Sequence, residues 1–274
     1  MPCHFRAALL ALATLTLSAC GLFPSKEEES KNWSASKFYT EAKAALKEGD
    51  YGEAIKLYEQ LEARYPFGPY AQQAQLEVAY AYYKDQEPES AVAAADRFIK
   101  QNPRHPNVDY AYYLKGLVNF NRNLGFIERY VPTDHTQRDQ AASMKSFEDF
   151  NELVKKYPNS KYAEDARQRM LYLRNNVAAY EVHVARYYLK RGAFLASANR
   201  CKEVIEKYQK TPAVEEALAI QYFAYDQLGM NDLATDVKRV ITRNHPMHPV
   251  VQGKASLADY TAEGNPEWWK FWLD

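Results

Sequence analysis

The feature of this sequence that most limits its fold is a helix-pair pattern that recurs at a fixed spacing. Small residues at matching positions lie 37 residues apart, from Ala54 to Ala91 and again from Ser197 to Ala234. Between these pairs the spacing is longer, but the same mark reappears at Ser146. A repeated spacing indicates stacked units, because one helix pair cannot bury both sides of its apolar faces alone.

Residues 38–65 show the pattern within one unit. The apolar residues recur at intervals that place them on one face of each of two helices. Between the helices, Gly49 supplies a permissive backbone, and Asp50 with Glu53 three residues later forms a candidate capping box. The short turn predicts that the two helices are antiparallel neighbours.

Proline clusters separate the units, because proline cannot continue a helix. The periodicity between the clusters predicts five helix pairs, and no glycine or proline interrupts the long fourth-pair helix at 161–190. The predicted pairs are 36–48 with 51–65, 70–85 with 88–102, 107–122 with 139–157, 161–190 with 195–208, and 213–228 with 231–244. This resembles the tetratricopeptide repeat, although the consensus tryptophan is missing. We therefore predict an all-α, tetratricopeptide-like solenoid of five helix pairs with a short unstructured N-terminal tether.

Composition supports a helical protein that does not bind nucleic acid. Only 10 glycines and 13 prolines occur beside 22 tyrosines and 12 phenylalanines, which suits helices packed through aromatic rings. Lysine plus arginine equals aspartate plus glutamate at 35 each, so no overall positive field attracts a phosphate backbone. The three cysteines are too few for a disulfide framework.

The amino terminus has the pattern of a bacterial lipoprotein signal. A basic start and an apolar run at 7–17, too short to span a membrane, lead to Leu17-Ser18-Ala19-Cys20-Gly21. This resembles the lipoprotein box, in which the cysteine is acylated and becomes the new amino terminus. The alternative is an ordinary signal cleaved after Ala19. We predict lipidation at Cys20, and no aspartate follows it, as in lipoproteins sorted to the outer membrane.

These signals predict four segments. Residues 1–19 form a signal peptide, 20–35 a lipidated tether, 36–249 the repeat domain and 250–274 an aromatic tail. The tail carries three of the four tryptophans, and the sequence leaves open whether it packs on the final pair, enters a membrane surface or binds a partner. The largest insertion, 123–138, is either a packed surface loop or a partner contact.

The predicted stack favours binding over catalysis. Its concave surface, built mostly by the first helix of each pair, suits an extended peptide or the edge of another protein. Aromatic rings at helical spacing are usually core, but a minority can line a groove. The candidate groove residues are Tyr65, Phe67, Tyr70, Tyr82 and Tyr83.

The sequence contains no signature of a catalytic centre. No metalloprotease motif, phosphate-cradling loop, nucleophile elbow or cysteine pair appears. His245 and His248 lie in a proline-broken connector without neighbouring carboxylates, which favours a structural role over metal binding. We expect no cofactor, no metal and no enzymatic activity.

A basic ledge, defined as the surface residues between Lys190 and Lys210, is the most charged local feature. Arg191 and Lys202 contribute to it. Cys201 is expected on the inward face of its helix, and Arg200 is the residue before it, one step around the helix. Arg200 can therefore point outward and offer a bidentate fork to a partner carboxylate. The alternative is a solvated helix face.

With these features assembled, the chain resembles the BamD (ComL) family of lipoproteins of the outer-membrane β-barrel assembly machinery. The resemblance covers Cys20 to about Pro246. Its marks are Arg64-Tyr65-Pro66-Phe67-Gly68-Pro69-Tyr70, Ala81-Tyr82-Tyr83-Lys84, Asp96-Arg97-Phe98-Ile99, Asn102-Pro103, His105-Pro106-Asn107, Tyr157-Pro158-Asn159-Ser160 and Arg191-Gly192-Ala193.

The resemblance implies a lipid-anchored, non-enzymatic scaffold at the outer membrane that faces the periplasm. Its implied partners are BamA, the other Bam lipoproteins and unfolded outer-membrane protein precursors, with BamA at the later repeats and precursors at the earlier ones. Arg200 matches the family arginine at the BamA contact. The alternative is a tetratricopeptide lipoprotein that organises peptidoglycan or another envelope complex, and an enzyme is a third, weaker alternative.

Overall fold

The computed structural model describes residues 30–122 and 140–261, and within these ranges the chain is helical with no strands. The ten helices of the five predicted pairs are all present, and a short helix follows them. Their bounds are α1 Ala35–Glu48, α2 Tyr51–Arg64, α3 Pro69–Lys84, α4 Pro88–Gln101, α5 Val108–Asn121, α6 Ala141–Lys156, α7 Ala163–Lys190, α8 Phe194–Lys207, α9 Ala213–Gln227, α10 Asn231–Asn244 and α11 Leu257–Thr261.

Within each unit the helices pack against their neighbours in the chain, which confirms the predicted all-α, tetratricopeptide-like class. Helix α7 is continuous over 28 residues, as its unbroken pattern predicted. The chain divides into two compact units, a first unit of Met1–Ala111 and a second unit of Tyr112–Asp274. Within the described part of the chain, no helix combines the length and apolar character needed to cross a membrane.

The turn between α1 and α2 has the predicted chemistry. Gly49 adopts a φ of +86°, a left-handed conformation that glycine reaches without steric cost. The Asp50 carboxylate accepts a hydrogen bond of 3.1 Å from the backbone N–H of Glu53 and caps α2. Both termini at this turn are therefore satisfied locally.

The same proline turn follows α4 and α10. In the first unit, the Nδ1 atom of His105 accepts a 3.1 Å hydrogen bond from the N–H of Asn107. In the second unit, Nδ1 of His248 accepts a 3.1 Å hydrogen bond from the N–H of Val250. In each turn the histidine thus takes the place of a backbone acceptor.

Residues 30–35 are folded, although the sequence places them in the tether. Ser30 lies in a short 3₁₀ turn and is buried, and its carbonyl accepts a 2.6 Å hydrogen bond from Arg64. The hydroxyl of Tyr65 donates to the carbonyl of Trp33 at 2.8 Å. The fold thus begins before residue 36, because α2 supplies donors for the incoming backbone. Residues 1–29, including Cys20, lie outside the described residues.

The second unit has an apolar core with close helix contacts. On α5, Gly116 faces the ring of Phe150 so closely that a methyl group at this position would overlap the ring. The hydroxyl of Ser146 donates to the carbonyl of Gly116 at 2.9 Å. Small residues at both positions let α5 and α6 approach each other. The main cluster in this unit includes Ala178, Val182, Ala185, Leu189, Ala198, Cys201, Val204, Ala217, Ile220 and Ala224.

The chain after α10 packs back on the final pair as far as the structure describes it. Val250 is buried against Leu218 and its neighbours, and the Tyr260 ring lies 5.3 Å from the Phe223 ring. Packing on the final pair, one of the open alternatives, thus holds for residues 250–261. Residues 262–274, with the three tryptophans, and the insertion at 123–138 lie outside the described residues.

Candidate functional site

The first unit contains an open cavity of about 850 Å³, which we call the first-unit groove. Its walls come from α2, the turn that leads to α3, α3 itself and α4. The lining residues are Glu59, Glu62, Ala63, Pro66, Phe67, Gly68, Gln72, Gln75, Arg97, Gln101 and Asn102. Seven of the eleven lining residues therefore carry polar side chains.

Gln75 joins the walls of the groove. It is buried, with only 8% of its surface exposed. Its Nε2 donates to Glu62 at 3.1 Å on α2 and to Gln101 at 3.0 Å on α4. Its Oε1 accepts a 2.8 Å hydrogen bond from Nδ2 of Asn102. All its polar atoms are satisfied, as a buried amide requires.

The charged side chains that line the groove form ion pairs or hydrogen bonds within the protein. Glu62 lies 3.5 Å from the guanidinium of Arg97, and Glu59 accepts a 2.5 Å hydrogen bond from the hydroxyl of Tyr82. Burial, together with this bond to the carboxylate, raises the pKa of Tyr82 to about 12. Tyr82 is thus a neutral donor at physiological pH and fixes the position of Glu59.

Of the five aromatic residues proposed from the sequence, the structure places Phe67 on the groove. Phe67 is 91% exposed and stands at the rim. The hydroxyl of Tyr65 instead donates to the carbonyl of Trp33, and the ring of Tyr70 lies beside that of Tyr39. The hydroxyl of Tyr82 donates a hydrogen bond to Glu59. Tyr83 packs near Tyr80 on α3.

Sequence reasoning missed the polar lining. It searched for rings on the first helices, whereas five of the eleven groove residues lie on the second helices α2 and α4 and only two lie on α3. A usable signal was present, because Glu59 and Glu62 are three residues apart and Arg97 and Gln101 four apart. Such spacings put polar side chains on one helical face.

A half-buried carboxylate connects α1, α2 and α3 in the same unit. Glu77 accepts hydrogen bonds from Tyr39 at 2.7 Å, Tyr58 at 2.5 Å and Gln73 at 3.0 Å, and Lys43 lies 3.5 Å away. Burial alone would raise the pKa of Glu77, but these hydrogen bonds outweigh it and hold the pKa below its ordinary value. The first unit is therefore tied together by an ionised group.

In the second unit, Arg200 is not the free fork that the sequence suggested. Its guanidinium donates to Glu181 on α7 at 3.0 Å, while 40% of the side chain remains exposed. This bond raises the pKa of Arg200 above its ordinary value, against the opposing effect of burial. A partner carboxylate would have to share Arg200 with Glu181.

The other members of the basic ledge are also positioned by intramolecular contacts. The guanidinium of Arg191 lies 5.3 Å from the centre of the Tyr187 ring, and Lys202 is 3.7 Å from Glu206. Nearby, Tyr187 and Leu195 are 51% and 56% exposed. The ledge and the adjoining Tyr187 thus combine cations with exposed apolar surface, a composition found at protein interfaces.

The remaining reactive groups to consider are the thiol of Cys201 and the side chains that commonly bind metal ions. Burial raises the pKa of the Cys201 thiol, so the thiol is protonated and a poor nucleophile. Among residues 30–122 and 140–261, no group of three or more histidine, cysteine, aspartate or glutamate side chains is arranged to hold a metal ion.

Comparisons with known proteins identify the family. The family model described as "YfiO: Outer membrane lipoprotein" matches residues 31–240. "Outer membrane protein assembly factor BamD" of Neisseria meningitidis serogroup B is 44% identical over 261 residues, which covers 94% of this chain and 96% of that protein. The proteins with this name from Xylella fastidiosa Temecula1 and Vibrio cholerae are 38% and 39% identical, over 92% and 76% of this chain and 86% and 87% of those proteins. The chain therefore belongs to the BamD family of outer membrane protein assembly factors.

Proposed function

We propose that this protein is a non-enzymatic lipoprotein scaffold in outer-membrane β-barrel assembly, which binds BamA through the basic ledge and unfolded precursors in the first-unit groove. The observation that carries the proposal is the open polar groove with Phe67 at its rim, in a chain of this family. The two sites lie in different units, so one chain can hold both partners.

The groove suits an extended polypeptide. Its lining offers amides, carboxylates and a guanidinium for backbone and side-chain hydrogen bonds. The exposed ring of Phe67 can cover an apolar side chain of the bound segment. An unfolded β-barrel precursor presents both features, because its strands alternate polar and apolar residues.

The basic ledge suits a folded partner with an acidic surface. Arg200, Arg191 and Lys202 supply positive charge, and the exposed Tyr187 and Leu195 supply apolar area. Interfaces commonly combine an apolar centre with charged residues that set orientation. We assign this surface to BamA.

Acylated Cys20 would hold the scaffold on the periplasmic face of the outer membrane, together with the other Bam lipoproteins. Several acyl chains on one cysteine anchor a protein stably, whereas one chain anchors it only marginally. The chain between Cys20 and the first described residue, Ser30, reaches about 35 Å when extended. We expect the Cys20→Ser protein to leave the membrane fraction.

Co-purification from detergent-solubilised membranes tests the BamA assignment. We expect Arg200→Glu to reduce BamA recovery. The double variant Arg200→Glu with Glu181→Arg restores the internal ion pair and separates the two roles of Arg200. BamA recovery that stays low in the double variant supports direct contact, whereas full recovery would show that Arg200 acts only by holding Glu181.

The precursor assignment is tested with Phe67→Ser and a matched control, Leu195→Ser, which removes an exposed apolar residue from the other unit. We expect only Phe67→Ser to reduce recovery of unfolded precursors. Equal recovery in both variants would contradict the groove assignment. Recovery of cell-wall fragments or their synthases in place of BamA would favour the peptidoglycan-organising alternative.

A further inference from the structure

We infer that the first-unit groove recognises the peptide backbone of an extended chain through Gln101 and Asn102, and that the buried Gln75 is the residue that orients this pair. This inference rests on the proposed function, because it specifies how the precursor groove selects its ligand. Gln75 acts as a positioning residue, since its own polar atoms are all used inside the protein.

The orientation of the pair follows from Glu62. A carboxylate paired with Arg97 can only accept hydrogen bonds, so the atom of Gln75 that faces Glu62 at 3.1 Å must be the donor Nε2. The same Nε2 also faces Gln101 at 3.0 Å, which requires the acceptor Oε1 of Gln101 at that contact. The NH₂ group of Gln101 is therefore turned away from Gln75.

The other atom of Gln75 gives Asn102 the opposite polarity. Oε1 of Gln75 is an acceptor, so the group of Asn102 that lies 2.8 Å from it is the donor Nδ2. The carbonyl oxygen of Asn102 is then turned away. Within the described residues, neither Nε2 of Gln101 nor the side-chain oxygen Oδ1 of Asn102 makes a hydrogen bond, and both residues line the groove.

One donor and one acceptor on neighbouring residues match the chemistry of a peptide unit, which carries one acceptor and one donor. An extended chain has unused backbone groups along each edge, whereas a folded helix has satisfied its own. Such a pair binds many sequences that share an extended backbone. Selectivity for side chains would come from Phe67 at the rim and from the charged lining residues Glu59, Glu62 and Arg97.

Backbone N-methylation tests the inference, because it removes N–H donors without changing side chains. The probe is a fluorescent peptide of about ten residues with alternating aromatic and polar side chains. Two derivatives carry N-methyl groups along one edge or the other, so that each edge is tested separately. Binding to the full-length detergent-solubilised protein is measured by fluorescence anisotropy. We expect methylation of one edge to weaken binding about tenfold.

Gln75→Met keeps the approximate volume and removes the three hydrogen bonds. We expect it to weaken the parent peptide about tenfold and to abolish the difference between the parent and methylated peptides. The matched control is Gln221→Met on α9, because Gln221 is also a buried, hydrogen-bonded glutamine but lies in the other unit, away from the groove. This control should retain the sensitivity to methylation. A purely structural role for Gln75 would lower affinity without removing that sensitivity.

Gln101→Glu covers the case in which Gln75→Met does not fold. Gln101 is exposed at the end of α4, and the change replaces the outward donor with an acceptor. We expect weaker binding of the parent peptide and loss of methylation sensitivity. Wild-type binding that ignores methylation of both edges would overturn the backbone inference alone. No binding of any peptide by the wild-type protein would overturn the precursor groove as well.

Discussion

Helices α3 and α9 occupy corresponding positions in the two units. Each follows a proline turn and is the first helix of the last complete pair in its unit. Each helix buries one glutamine among apolar residues, but the polar groups have different partners. On α3, Gln75 is buried and Glu77 half-buried, and both bind neighbouring helices by hydrogen bonds. On α9, Leu218 and Ile220 are buried in apolar clusters. Gln75 bonds three side chains beside the groove, whereas Gln221, which is also buried on α9, donates to the backbone carbonyl of Ala198 on α8. Each buried amide thus has a partner, as burial of a polar group requires.

The difference also appears at the end of each unit. Asn102 and the turn after α4 border an open groove, whereas the turn after α10 leads into Val250, which fills an apolar site beside Leu218. We interpret the groove as the precursor site of the first unit and the apolar clusters as the framework that supports the basic ledge of the second, a division that the following changes can break or sharpen.

The largest expected effect is in the apolar core of the second unit. Ile220 is fully buried, so Ile220→Ala should lower the free energy of unfolding by about 2–5 kcal/mol. Urea denaturation followed by circular dichroism measures this change. The control Leu195→Ala, at a 56% exposed site, should change stability by less than about 0.5 kcal/mol. Equal effects would show that the second unit lacks a tight core.

The close α5–α6 contact gives the next effect. Gly116→Ala places a methyl group against Phe150 and should destabilise the second unit by about 2 kcal/mol through overpacking. Gly52→Ala is the matched control, because its position on α2 is open. Alanine favours the helix, so this control should leave the melting temperature unchanged or raise it. A neutral Gly116→Ala would contradict the described contact.

In the first unit, Glu77→Gln should cost about 1.5 kcal/mol at pH 7, because three donors lose an ionised acceptor. The folded-state pKa of Glu77 is lowered, so its stabilising effect is complete above the ordinary value of 4.5 and is lost as pH falls through the folded pKa. The stability difference between wild type and variant should therefore shrink below about pH 4.5. A difference that stays constant from pH 7 to pH 3 would contradict an ionised Glu77.

The smallest predicted effect concerns a helix cap. Asp50→Ala removes the acceptor for the N–H of Glu53 and should cost about 1 kcal/mol. Asp50→Asn retains an acceptor and serves as the control. In thermal denaturation, wild type and Asp50→Asn should have higher melting temperatures than Asp50→Ala. An unchanged melting temperature in Asp50→Ala would contradict a stabilising role for this cap.

The helices were predictable because local rules decide them. Proline stops, the left-handed Gly49 and the Asp50 cap act over a few residues, so the ten helices of the five pairs begin and end within two residues of the expected positions. The groove was not predictable in this way. The contacts of Gln75 with Glu62 and with Gln101 join residues 13 and 26 positions apart, and no periodicity reports which polar side chains meet.

The same limit applies to Arg200. The sequence places it one position from the buried Cys201, but the 19-residue separation from Glu181 hides their ion pair. Tertiary pairing of charges depends on how α7 and α8 pack, which the spacing within one helix does not specify. Candidate binding residues chosen by exposure alone therefore need their intramolecular partners before a role is assigned.

Site-specific photo-crosslinking in cells tests the division of roles most directly. A benzophenone amino acid replaces Phe67 in the first unit or Leu195 in the second, both exposed positions. The account predicts crosslinks from position 67 to unfolded outer-membrane protein precursors and from position 195 to BamA. Crosslinks of precursors to position 195 with none at position 67, or of BamA to position 67 alone, would contradict it.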